Sequence, residues 1–204
     1  HPSYKAIAHL PLAERLARLR QPEVRKAILS EHATATDDPL FFRPNYDKMY
    51  LLGNPPDYEQ PPENTLGAQA KRQGRQAEEL AYEAMLTDEG RGMLYVPFLN
   101  YADGNLDATR EMLREPNSVP GLSDGGAHCG IICDASFPTY LLTHWTRDRS
   151  RGEKLSIPFV VAAQSRKTAL SVGLTDRGVI APGFKADVNV IDYDKLHLHP
   201  PKVH

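Results

Sequence analysis

Residues 118–130 read SVPGLSDGGAHCG, and two chemistries overlap in that stretch. Gly121-Leu122-Ser123-Asp124-Gly125 spells G-x-S-x-G, the pattern of a serine nucleophile on a tight turn. One residue further on, Asp124 is an acid at the end of a short strand, followed by two glycines and His128. A nucleophile elbow needs a strand, a sharp turn between small residues and a helix starting directly after the serine. The strand and the small residues are present, but Gly125 to Gly130 delays any helix until about Ala135, and no HGGG-type oxyanion loop lies upstream. Asp134 or Asp148 followed by His197 or His199 fits the triad order, as almost any sequence would. An aspartate at a strand end, beside glycines that let a substrate reach the backbone, suits a general base. It can take a proton from a metal-bound water and return it to a leaving amine. The plainer role for Asp124 is to cap the turn through its own backbone, as aspartates commonly do. The residues alone leave these alternatives open.

The elements that must position these groups follow from periodicity. PLAERLARLR at 11–20 places Leu12, Leu16 and Leu19 on one helical face, Pro22 interrupts, and Glu23 to Glu31 resumes. Residues 33–65 carry Asp37-Asp38-Pro39, Arg43-Pro44-Asn45, Asn54-Pro55-Pro56 and Pro61-Pro62. They read as an irregular, Pro-rich insertion with Tyr46, Tyr50 and Tyr58 to pack it, and with short buried strands at Phe41-Phe42 and Met49 to Leu52. Thr65 to Leu86 reads as a helix, strongest over Gln76 to Met85. Met93 to Leu99, MLYVPFL, has the length and apolarity of a strand buried on both faces. Asn105 to Arg114 is helical, and Ser118 to Ser123 is the next strand. Helix, strand, helix, strand predicts parallel strands with crossover helices, an α/β architecture. Functional groups in such folds gather at the carboxyl ends of strands, the places of Asn100 and Asp124. Helices follow over Ala135 to Arg147, Ile157 to Ser165 and Lys167 to Val172. The ending, with ADVNVID at 186–192, reads as a small β appendage.

Bulk properties narrow the function classes. The 204 residues carry 24 Lys plus Arg against 26 Asp plus Glu, a net charge of −2 that gives no reason to expect nucleic acid or an anionic membrane as partner. No apolar run approaches the roughly 20 residues that span a bilayer. Cys129 and Cys133 make a poor disulfide framework and read as buried thiols, which points to a reducing, cytoplasmic compartment.

SDGGAH after a short strand, then FPTYLLTHW, then a helix ending near Arg166-Lys167-Thr168-Ala169, then GLTDRGVIAPGFKADVNVIDYDKL, resembles the amidohydrolase superfamily. More narrowly it is similar to the N-acyl-D-amino-acid deacylase (D-aminoacylase-like) branch. The tail pattern D-R-G-x-I-x-x-G-x-x-A-D-x-x-V-x-D is matched by Asp176, Arg177, Gly178, Ile180, Gly183, Ala186, Asp187, Val190 and Asp192. The resemblance covers residues 90–196 well and the Pro-rich stretch loosely. It implies the carboxyl-terminal part of a (β/α)8 barrel over residues 1–175, with the Pro-rich insertion at 33–65, then a β appendage over 176–204 that belongs to a composite β-sandwich. It implies hydrolysis of a non-peptide amide C–N bond in an N-acyl-(D-)amino acid, with Asp124 as catalytic base and acid. His128 and Asn100 are its candidate substrate-binding residues, against the plainer reading of His128 as a turn-stabilising histidine.

The same resemblance implies zinc or another divalent metal, held by an H-x-H pair after the first barrel strand and by ligands on middle strands. Before Asp124 this sequence has only His1, His9 and His32. The expectation is a carboxyl-terminal fragment of a longer enzyme, with its metal ligands mostly outside this chain. Such a chain would be inactive alone, and would associate with its missing amino-terminal half or with itself. His197-Leu198-His199 is an H-x-H, but beside Pro200-Pro201 it reads as a solvent-exposed strand end. The alternatives to the amidohydrolase reading are a serine hydrolase using Ser123 and a non-catalytic assembly fragment.

Overall fold

The computed structural model describes residues 1–31, 44–97, 99–121 and 134–201. They pack as two compact units, His1–Leu99 and Asn100–Pro201.

The first unit is mainly helical. α1 (Pro2–Lys5), α2 (Leu12–Leu19) and α3 (Pro22–Ser30) follow the periodicity, with Pro22 opening α3 where its missing N–H costs nothing. β1 (Tyr50–Leu51) comes next, then α4 (Leu66–Gln73), capped when Thr65 Oγ1 accepts from the Ala68 amide at 3.2 Å. The helix expected over 65–86 is two helices, because Gly74 turns left-handed at φ 62° and ends α4 before α5 (Ala77–Met85). α6 (Thr87–Gly90) is a single turn with Asp88 and Glu89 in left-handed conformation. β2 (Leu94–Tyr95) completes the unit.

The strand expectation is corrected here. Of Met93 to Leu99 only Leu94–Tyr95 is strand, and it pairs antiparallel with β1, Tyr50 opposite Tyr95 and Leu51 opposite Leu94. A strand buried on both faces needs cover on both faces, yet Val96 and Leu99 are exposed. What sets the pairing is aromatic. Tyr95 meets the Tyr58 ring edge-on at 5.3 Å and the Tyr50 ring at 6.1 Å, and its hydroxyl donates to the Tyr58 carbonyl at 3.3 Å. The tyrosines therefore do pack the Pro-rich stretch. Phe41-Phe42 lies outside the described residues.

Leu16, Ile28, Leu66, Ala70, Ala81 and Tyr82 are buried in this unit, and the Tyr82 hydroxyl donates to the Leu19 carbonyl at 2.7 Å. Burial pushes the Tyr82 phenol up from its ordinary value. On the surface, Glu83 lies 2.5 Å from Arg75 and 3.1 Å from Arg25. The hydrogen bond from Arg75 holds the Glu83 carboxyl below its ordinary value of 4.5.

The second unit holds α7 (Asp107–Arg114), α8 (Phe137–Thr143), α9 (Ile157–Ala162) and α10 (Thr168–Ser171). α8 continues into a π-helical turn, His144–Asp148, and a second π turn, Ala163–Lys167, joins α9 to α10. The two helices expected over 157–172 are thus one. Hydroxyls back-bond inside these helices, Thr143 to Thr139, Thr168 to Gln164 and Ser165 to Val161, a pattern that bends helices. Leu141, Trp145, Leu155 and Val160 form the core, covered by Leu106, Leu113, Phe137 and Phe159.

Residues 118–121, expected to begin a strand, have no regular structure and follow a turn at 116–117 that the Ser118 amide closes by donating to the Glu115 carbonyl at 3.0 Å. No β appendage is seen among the described residues of the tail: no strand occurs there, and Ile180 and Val190 are 90% and 96% exposed. An alternating segment becomes a strand only when a neighbour takes its backbone hydrogen bonds. Among the described residues there is no barrel, and no helix is long and apolar enough to cross a membrane.

The depressed Glu83 carboxyl makes one prediction. A carboxylate with a lowered folded value contributes stability above its unfolded value and loses it as pH falls through the folded one. Unfolding measured from pH 6 to pH 2 is expected to show a shallower loss below about pH 4.5 in Glu83→Gln than in the unsubstituted chain. Identical acid limbs would show that the ion pairs contribute nothing.

Candidate functional site

Asp124, His128, Ser123 and both cysteines lie outside the described residues. The described residues on either side run up to Gly121 and begin again with a 3-10 turn, Asp134–Ser136, that leads directly into α8. Asn100 is described. It is exposed and left-handed at φ 59°, a conformation asparagine adopts more readily than most residues.

α8 and its π turn carry the main polar assembly of the unit. Tyr140 stacks on His144, centroids 4.6 Å apart and planes 10° from parallel. His144 meets the Trp145 ring edge-on at 5.4 Å. Across Trp145 lies Arg149, its guanidinium 4.8 Å from the ring centroid and its side chain fully shielded from solvent. Arg149 donates to Asp107 Oδ1 at 2.7 Å and to the Glu153 carbonyl at 2.8 Å. Gly152 faces this group so closely that a Cβ there would stand 2.7 Å from the guanidinium. Sequence reasoning passed over Arg149.

Beside the assembly is a surface depression of about 380 Å³ lined by Asp107, Arg110, Glu111, Gly152 and Glu153. Arg110 is 3.0 Å from Glu111 and also pairs with Glu153, so its charge is satisfied on the spot. The depression is lined by ion pairs.

The tail motif resolves into turn architecture. Arg177 Nε donates to Asp176 Oδ1 at 3.1 Å, and that bond holds the Asp176 carboxyl below its ordinary value. The Lys185 amide donates to the Asp176 carbonyl at 2.7 Å. Gly178, at φ 81°, approaches Arg166 so closely that a Cβ would stand 2.7 Å from its backbone. Arg166 donates to the carbonyls of Thr175 and Arg177, each at 3.0 Å, and lies over the Phe184 ring. Arg147 donates to the carbonyls of Tyr193 and Leu196.

The amidohydrolase family profile matches residues 1–204, the whole chain. The chain belongs to the amidohydrolase family. The match includes the Pro-rich stretch 33–65, beyond the region where the resemblance is strong. No curated protein and no solved structure matches the chain. Family membership implies a hydrolase acting on C–N bonds and a barrel portion in the fold. The family is commonly metal-dependent. Among the described residues, however, no group of three or more His, Cys, Asp and Glu side chains is placed to hold a metal ion, so these residues do not supply the family's hydrolytic metal centre.

The Arg149 assembly can be tested directly. Asp107 is 63% exposed, and a surface substitution away from such features changes stability by no more than about 0.5 kcal/mol. Asp107→Ala is expected to cost about 1–3 kcal/mol, because it leaves a shielded guanidinium short of an acceptor. Adding Arg149→Met is expected to recover part of that loss, since an apolar replacement needs no partner. Denaturant unfolding of the single and double variants measures both.

Proposed function

We propose that the protein carrying this chain hydrolyses the non-peptide amide bond of an N-acyl-amino acid, narrowly an N-acyl-D-amino acid, with Asp124 as general base and acid. The observation that carries this reading is SDGGAH, a carboxylate followed by two glycines and a histidine, within a chain that matches the amidohydrolase family from end to end. In the reaction, Asp124 accepts a proton from water as the water oxygen bonds to the amide carbon. It then delivers that proton to the nitrogen as the C–N bond breaks, releasing a carboxylic acid and an amine.

His128, four residues on, contacts the substrate, and so does Asn100. The left-handed Asn100 supports that role, because residues held in sparsely populated conformations gather at binding sites. The metal, zinc or another divalent ion, is held by ligands mostly outside this chain.

The fold reading is a carboxyl-terminal barrel portion with a β appendage. Its support is the alternation of ADVNVID with Val188 and Val190 exposed, a strand sequence without a β partner among the described residues. The missing amino-terminal half, or a second copy of the chain, supplies that partner. Nucleic acid and membrane are not partners in this account, given the net charge of −2. The compartment is the cytoplasm.

Two outcomes follow. In the natural-length protein, Asp124→Asn is expected to lower kcat on N-acyl-D-amino acids by about 10²–10⁴-fold while Ser123→Ala stays near the parent rate. The reverse pattern would move the chemistry to the serine. Purified 204-residue chain supplied with zinc is expected to show no deacylase turnover, and robust turnover would overturn the placement of the metal ligands elsewhere.

A further inference from the structure

His197 and His199 were expected to be only a solvent-exposed strand end, and both are exposed. Their rings, however, lie together, centroids 4.6 Å apart and planes at 70°. Residues two apart on an extended chain share a face. His199 precedes Pro200, and a residue before proline is held in extended conformation. The His197 Nδ1 atom lies 2.8 Å from the Lys195 carbonyl oxygen. A carbonyl only accepts, so Nδ1 carries the hydrogen, and in the neutral form of the ring the free lone pair is on Nε2. A backbone carbonyl that fixes the tautomer in this way is the support that metal-binding imidazoles use.

The local charge also admits a cation. The Lys195 ammonium is engaged by Asp192 at 3.1 Å, and Asp194 adds a further carboxylate to the segment. Among the described residues no third His, Cys, Asp or Glu joins the pair to close a coordination shell.

We propose that His197 and His199 form a two-imidazole site for a divalent first-row transition-metal ion, with water in the remaining positions. Imidazole suits copper, nickel and zinc, and copper binds most tightly of the series. The site is independent of the hydrolytic reading and uses none of its residues.

The test is a Cu2+ titration of the chain followed by the histidine ring-proton NMR signals. It is run in a His1→Ala background, because an amino-terminal histidine chelates copper through its own amine and ring. The His197 and His199 signals are expected to broaden together before those of the other histidines. In the His199→Gln variant, broadening of His197 is expected to need about tenfold more copper or beyond, the loss of an intramolecular second ligand. Both rings are exposed, so the substitution touches no core. Broadening of all histidines at one copper concentration, or of His197 unchanged in His199→Gln, would overturn the site.

Discussion

A guanidinium taken out of water must find acceptors and a polarizable surface, and in the second unit one such group fixes the positions of three segments. Arg149 lies over Trp145, reaches Asp107 at the start of α7 and holds the Glu153 carbonyl in the connection to α9. Trp145 is itself a core residue with Leu141, Leu155 and Val160, and its carbonyl accepts from the Leu155 amide at 2.7 Å. Apolar burial and charge satisfaction therefore act on the same helix. The π turn at His144–Asp148 widens the helix where it leaves this core. The 3-10 turn Asp134–Ser136 leads directly into this same helix.

The tail shows how a recognisable pattern can report architecture rather than chemistry. Asp176, Arg177 and Gly178 are spent on a turn: a local ion pair, a carbonyl that takes the Lys185 amide, and a close backbone approach to Arg166. Arg147 and Arg166 then hold the tail to the helices through backbone carbonyls. The apolar residues between these anchors, Ile180 and Val190 above all, stay in solvent.

Helices were legible where apolar period and breakers agreed, as in α2, α3 and α7. They were misjudged where one backbone choice overrode the pattern: Gly74 splits one helix, and the π turn at 163–167 fuses two. The strand at 93–99 was read from apolarity, but burial on two faces depends on neighbours that a single segment cannot specify. Its two paired residues instead follow tyrosine contacts with positions 50 and 58, far away in sequence. For the site, Asn100 is among the described residues, with a left-handed backbone, while Asp124 and His128 lie outside them. Arg149 escaped notice because nothing in a lone surface-type residue announces that its charge will be buried.

The claim that this chain belongs to a water-activating, metal-dependent amidase rather than a serine hydrolase is tested most directly by paired inactivation. The natural-length protein is assayed on an N-acyl-D-amino acid after treatment with a chelator, and separately after a fluorophosphonate. The account predicts that chelation abolishes turnover, that added zinc restores it, and that the fluorophosphonate leaves both rate and protein mass unchanged. Full activity after chelation, together with loss of activity and a mass increase at Ser123 after the fluorophosphonate, would contradict it.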